Sequence, residues 1–151
     1  EAEHFYSKSW FLVHIYFGCI HGLAMTYDQI EKWDKSDELY TKLIALNDRD
    51  AQAYNNFAYS LVERDEDLEY ALTLAEKAIQ ISPDVSAYLD TIGWIYYKLS
   101  EFEKAKDFIA QALIYDDSSA VILEHYGDVL ISVEEIDEAL KIINKVCAEL
   151  K

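Results

Sequence analysis

The stretch from Ser86 to Leu113, SAYLDTIGWIYYKLSEFEKAKDFIAQAL, reads as two successive helices, and the first carries a glycine, Gly93, in its middle. Glycine inside a helix costs about 1 kcal/mol relative to alanine, so a neighbouring backbone must approach there closely enough to compensate. Thirty-four residues after Leu89, Ile92, Gly93 and Tyr96 the same order returns as Leu123, Tyr126, Gly127 and Leu130. Thirty-five residues upstream stand Tyr54, Phe57, Ala58 and Leu61, and thirty-four before those stand Ile20, Leu23, Ala24 and Tyr27. A second set keeps the same spacing: Ser36, Ala71, Ala105 and Ala139, each followed four residues later by Tyr40, Ala75, Ile109 or Ile143. Asp48, Pro83 and Asp117 mark the unit ends. A small residue on the first helix facing a small one on the second lets two backbones cross closely, which assigns Gly93 to architecture rather than to a phosphate loop.

This pattern resembles the tetratricopeptide repeat, W-x2-L-G-x2-Y, then A-x3-F, then P, carried on antiparallel helices A and B. The resemblance covers roughly residues 17 to 151. No copy has tryptophan at the first signature position, proline survives only at Pro83, and the second copy has one extra residue in its RDEDLEY turn. It implies an all-α, right-handed superhelical solenoid of helix pairs: units at 17–50, 51–85, 86–119 and 120–151, with residues 1–16 as an N-terminal capping helix. Self-association through Trp10, Phe11 and Phe17, or through the last helix, is a second reading of the two ends. Ser100 with Glu103 reads as a capping box, and the SPDVS and DDSS runs between units hold residues that favour N-caps.

Composition agrees and narrows the function. The 151 residues are 52% hydrophobic, with four glycines and one proline. Thirteen basic against twenty-nine acidic residues give a net charge of −16, which repels phosphate backbones and anionic lipid and so argues against nucleic acid and direct membrane-surface binding. The run WFLVHIYFGCI, 10–20, is too short to span a bilayer. Cys19 and Cys147 lack metal or redox spacing and read as small buried thiols. Catalytic motifs are absent around His4, His14, His21 and His125, and the sharpest metal candidate, Glu124, His125 and Asp128, lacks a second histidine. The acidic turn residues have no shielded pocket in which two carboxyl groups could be driven apart in pKa. No cofactor, no metal and no enzymatic activity are expected.

In the family the inner wall is lined by helices A, and the resemblance implies a partner-binding groove there. Its positions are His21, Met25 and Asp28 in the first copy and Asn55, Asn56 and Tyr59 in the second. The third supplies Asp90, Thr91, Trp94 and Tyr97, and the fourth Glu124, His125 and Asp128. Tyr59, Trp94 and Tyr97 read as an apolar centre, with packing between helices A as the competing reading. Lys98 is the one cation at the groove edge, so a clamp for a partner's C-terminal carboxylate is not expected. A protein or peptide partner with basic residues flanking an apolar one suits the acidic rim. The YNNFAYSL, YLDTIGWIYYKL and VILEHYGDVL stretches look most like bacterial members, including exported lipoproteins, which implies the bacterial envelope, periplasm or cytoplasm. The alternative is a regulatory or targeting segment of a larger protein.

Overall fold

A computed structural model describes the backbone of residues 2–149 and the side chains of residues 13–145 and of Cys147. Among these residues the chain forms eight helices and no strand: α1 (Ala2–Gln29), α2 (Trp33–Leu46), α3 (Ala51–Glu63), α4 (Leu68–Ile81), α5 (Ser86–Lys98), α6 (Phe102–Tyr115), α7 (Ala120–Ser132) and α8 (Ile136–Glu149). Successive helices pack as pairs, and each odd helix also packs on the pair before it. Helices α1, α3, α5 and α7 touch their odd neighbours, whereas no two even helices touch. The odd helices therefore form the inner wall of a curved stack, with the even helices splayed around the outside.

The small residues sit at the crossings. Ser36, Ala71, Ala105 and Ala139 are all buried, as are Ala24 and Ala58 opposite them. At Gly93 the close approach is real: a Cβ there would stand 2.5 Å from Ile109 Cγ1 and 3.2 Å from both the Ala105 carbonyl oxygen and the Ile109 amide nitrogen. Gly127 differs, because a Cβ there would meet nothing within 4 Å. Ile143 is 45% exposed, whereas its counterpart Ile109 is fully buried in a cluster with Ile122 and Val129 of the next helix. Leu23, at the position equivalent to Ile92, is 45% exposed where Ile92 is buried.

Several local expectations are corrected. Helix α1 runs without a break from Ala2 to Gln29, so residues 2–16 continue the first helix A instead of forming a separate cap. The side chains of Trp10 and Phe11 lie outside the described residues, and Phe17 packs against the core. Cys19 and Cys147 are exposed rather than buried. The Ser100–Glu103 capping box does not form: Ser100 has φ 62°, Glu101 is the N-cap of α6, and no side chain caps that helix. An N-cap side chain reaches the N2 or N3 amide from an extended backbone, which a left-handed residue one position earlier cannot supply. The SPDVS and DDSS runs likewise leave α5 and α7 without a side-chain cap, whereas Asp50 and Asp67 cap α3 and α4 through the amides of Ala53 and Tyr70.

The left-handed turn recurs between every A and B helix, at Glu31 (φ 56°), Asp65 (φ 51°), Ser100 and Glu134 (φ 63°). A Cβ costs about 1–2 kcal/mol in that conformation, and glycine does not suffer it. Because glycine also loses more chain entropy on folding, Ser100→Gly and Glu134→Gly are each expected to stabilise the protein by about 0.5–1 kcal/mol. Urea unfolding of the two variants checks this, and an unchanged or lower midpoint would contradict it.

Candidate functional site

The helix-A positions divide by what their side chains already do. In the first unit Asp28 is committed inward: its Oδ2 accepts from the Tyr40 hydroxyl at 2.7 Å and its Oδ1 from Ser60 Oγ at 2.9 Å. Burial and the adjoining Asp28 carboxylate hold the Tyr40 phenol far above its ordinary range. His21 Nε2 lies 2.9 Å from Asp50 Oδ2 while Asp50 Oδ1 accepts from the Ala53 amide at 3.0 Å. Burial alone would raise the Asp50 carboxyl, but the His21 ring and the Ala53 and Gln52 amides outweigh it and hold it below its ordinary value. Met25 is exposed and stands apart from these bonds.

In the third and fourth units the aromatic residues stack. The Trp94 ring lies 4.6 Å from Tyr97 at an interplanar angle of 6° and 4.0 Å from His125 at 11°. Two rings that near and that parallel cannot share one face of the indole without overlapping, so both faces are taken. Trp94 Nε1 donates to Glu63 Oε1 at 3.2 Å, and Lys98 Nζ stands 5.6 Å from the Trp94 ring centre. Tyr97 also leans on Phe102, 5.6 Å away. His125 Nδ1 lies 3.1 and 3.0 Å from the two oxygens of Asp90, and both residues are buried. Trp94 thus packs against the next helix A through His125, and Tyr97 against Trp94 of its own helix and Phe102 of α6. Tyr59 alone of the three expected aromatic residues keeps an unstacked ring, 36% exposed.

Several of the expected positions meet in one cleft of about 270 Å³ between α3, α5 and α7. Asn55, Asn56, Tyr59, Asp90 and Thr91 line it, five of the expected positions. Ser86, Ala87, Asp116, Ser119, Val121 and Ile122 complete it. These six escape a reading confined to the middle of each helix A, because the SPDVS and DDSS runs look like connectors; they are also where the next helix begins. Thr91 donates to the Ala87 carbonyl at 2.8 Å, so its hydroxyl is spent on its own helix. Asn55 is 7% exposed and its Oδ1 has no hydrogen-bond partner. Burial, then the negative charges of Glu63 and Asp90, push the Tyr59 hydroxyl up to about 12.

Glu124 and Asp128 do not join this cleft. They border a separate apolar one of about 370 Å³ between α7 and α8, with Leu123, Gly127, Ile131, Ile143 and Cys147. The Glu124, His125 and Asp128 candidate thereby divides, with His125 turned to Asp90 and its two neighbours outward. Among the described residues no three His, Cys, Asp or Glu side chains are placed to hold a metal ion, and no helix is long and apolar enough to cross a membrane.

Residues 87–117, covering most of α5 and all of α6, match the family model described as tetratricopeptide repeat. The α5–α6 pair is a tetratricopeptide repeat, and the whole stack has the fold of tetratricopeptide solenoids. Tetratricopeptide proteins of known structure share the architecture: a thermophilic one from Thermus thermophilus superposes with a TM-score of 0.75 at 25% identity, over 84% of this chain and 70% of that one. The first tetratricopeptide domain of Spaghetti, solved with an HSP90 peptide, superposes with a TM-score of 0.71 at 14% identity, over 78% of this chain and 93% of that one. Among relatives in sequence, the BBSome complex member BBS4 of Bos taurus is 25% identical over 120 residues, 80% of this chain and 23% of its own. A tetratricopeptide repeat-containing protein of Pseudomonas aeruginosa is 35% identical over 71 residues, 47% of this chain and 12% of its own. The chain thus spans less than a quarter of the length of these curated relatives. Tetratricopeptide solenoids generally mediate protein–protein interaction as non-catalytic scaffolds.

Proposed function

We propose that this solenoid is a non-catalytic interaction module that holds an extended segment of a partner protein, basic and apolar in character, against the cleft between α3, α5 and α7. The observation that carries the reading is the unstacked Tyr59 ring beside the Asn55 and Asn56 amides on the wall of this cleft. Amide side chains next to a rigid aromatic ring suit an extended peptide, whose main chain offers donors and acceptors in alternation. The same groove serves a regulatory or targeting role where the repeats belong to a longer polypeptide, a reading that the greater length of the relatives favours.

The test is capture from the source organism's extract with wild-type protein and an Asn55→Leu, Tyr59→Ala variant side by side, read by mass spectrometry and followed by titration of the captured partner. The variant is expected to lose about tenfold or more in affinity while keeping wild-type helicity. Equal retention of the same partners by both would overturn the groove.

A further inference from the structure

We infer that the α7–α8 pair carries a docking slot for helix α1 of a second copy of this chain, so that copies join head to tail. The slot is the apolar cleft of about 370 Å³ between α7 and α8. Leu123, Ile131, Ile142, Ile143 and Cys147 line it. Their counterparts thirty-four residues earlier are Leu89, Tyr97, Phe108, Ile109 and Leu113. All five belong to, or pack against, the apolar cluster that α7 completes with Ile122 and Val129. Glu124 and Asp128, also on the slot, repeat Asp90 and Trp94, the two residues that meet His125 of α7. The cleft is therefore the same seat that α7 fills on the α5–α6 pair, and its register suits the leading face of a helix A. Among the described residues α8 packs on α7 alone, which leaves the seat open.

The chain itself carries the matching face. The α7 residues that enter their seat, Ile122, Tyr126 and Val129, repeat Cys19, Leu23 and Thr26 of α1. On α7 the first and last are buried and the tyrosine partly so, whereas on α1 all three are exposed, as is Ile30 one turn further along. Where His125 stands on α7, α1 has Gly22 with open space around it, so nothing bulky bars the approach. Between Val13 and Ile30 the one acidic residue is Asp28, bonded inward to Tyr40 and Ser60, so no carboxylate of that stretch opposes Glu124 and Asp128. On a chain of net charge −16 that matters, because other pairings of its surface bring like charges together. The contact joins two different faces, so it propagates along a row of copies or closes as a ring, and never pairs one face with itself.

The test is sedimentation velocity from micromolar to millimolar concentration on wild type and on two surface variants, Leu23→Asp on the face of α1 and Ile143→Asp in the slot. Both side chains are 45% exposed, so the variants are expected to keep wild-type helicity. Wild type is expected to grow with concentration beyond the mass of a dimer, and either variant alone to stay monomeric. An equimolar mixture of the two is expected to form dimers and nothing larger, because the intact α1 of Ile143→Asp enters the intact slot of Leu23→Asp. Cys19 and Cys147 report the register separately, since both are exposed and they repeat Ile122 and Leu113 of the α6–α7 joint. In the cross-linked dimer of wild type, a short bis-maleimide is expected to join Cys19 to Cys147 several-fold more often than either cysteine to its own kind. Wild type that stays monomeric throughout would overturn the inference and give the slot to a helix of another polypeptide or of a further repeat. Dimers of Leu23→Asp alone would show the slot pairing with itself, and a mixture that stays monomeric or cysteines linked at random would show that α1 is not the occupant; each sinks the head-to-tail joint. The cleft between α3, α5 and α7 takes no part in this contact, so the outcome leaves the proposed peptide groove untouched.

Discussion

Trp94→Ala is expected to lower stability by about 3 kcal/mol, the low end for removal of a tryptophan, because the ring is partly exposed. The loss is larger than a surface aromatic would give. Trp94 is the middle layer between Tyr97 and His125, so its removal breaks two stacked contacts and its bond to Glu63 at once. It also leaves His125 and Asp90 beside a cavity in the joint between α5 and α7. For a chain of this size the melting temperature is expected to fall by roughly 6–12 °C. Tyr59→Ala is expected to cost clearly less, about 1 kcal/mol, since that ring is over a third exposed and stacks on nothing. Calorimetry of the two variants separates the roles: equal small losses would mean that the stack contributes nothing to the fold. A variant joining both changes is unsuitable as a probe of binding, because it removes the joint together with the contact surface.

Gly93→Ala and Gly127→Ala should move stability in opposite directions, although the two glycines occupy equivalent positions. Alanine improves helix propensity by about 1 kcal/mol at either site. At Gly93 the new methyl would stand 2.5 Å from Ile109 Cγ1, and it cannot back away, because the Ala105 carbonyl and the Ile109 amide are already 3.2 Å off. Overpacking of that kind costs about 1–3 kcal/mol, and here α6 as a whole must shift, so the net loss is expected near 2 kcal/mol. At Gly127 the methyl meets nothing within 4 Å, and the propensity gain of about 1 kcal/mol should appear almost undiminished. A cycle with Ile109→Ala identifies the cause, since removing Cγ1 should cut the Gly93→Ala penalty by about 1 kcal/mol or more. Urea unfolding of wild type, the three single variants and the Gly93→Ala, Ile109→Ala double variant gives the numbers, and a Gly93→Ala protein as stable as wild type would sink the account.

These variants also mark how far the repeat can be read before packing is known. The period requires small residues at both crossings of each unit, and Ala24, Ser36, Ala58, Ala71, Ala105 and Ala139 are buried as that requires. It cannot show that Gly127 is slack, because helix α7 has the same spacing as α5 and the room beside Gly127 is set by how its neighbours pack. Ile143 shows the same limit, repeating Ile109 in spacing but not in burial, since no helix lies over it as Ile122 and Val129 lie over Ile109.

The candidate site divides along the same line. Asn55, Asn56, Tyr59, Asp90 and Thr91 are found together because position within a helix decides which residues face the inner wall, and the period determines position. Which of them are free to bind is a tertiary matter. Trp94 and Tyr59 look alike as aromatic residues on the wall, yet His125 reaches across from the next unit to cover one and leaves the other bare. Asp28 is a wall carboxylate by position, but Tyr40 and Ser60 close on it from two other helices. From sequence alone came the two-helix unit, the curved all-α stack, the strongly acidic surface and the wall on which to look. The angle between successive units decided the rest, because contacts across a joint arise from residues about thirty apart, such as His125 with Asp90 or Ser60 with Asp28, whose meeting no local pattern of side chains encodes.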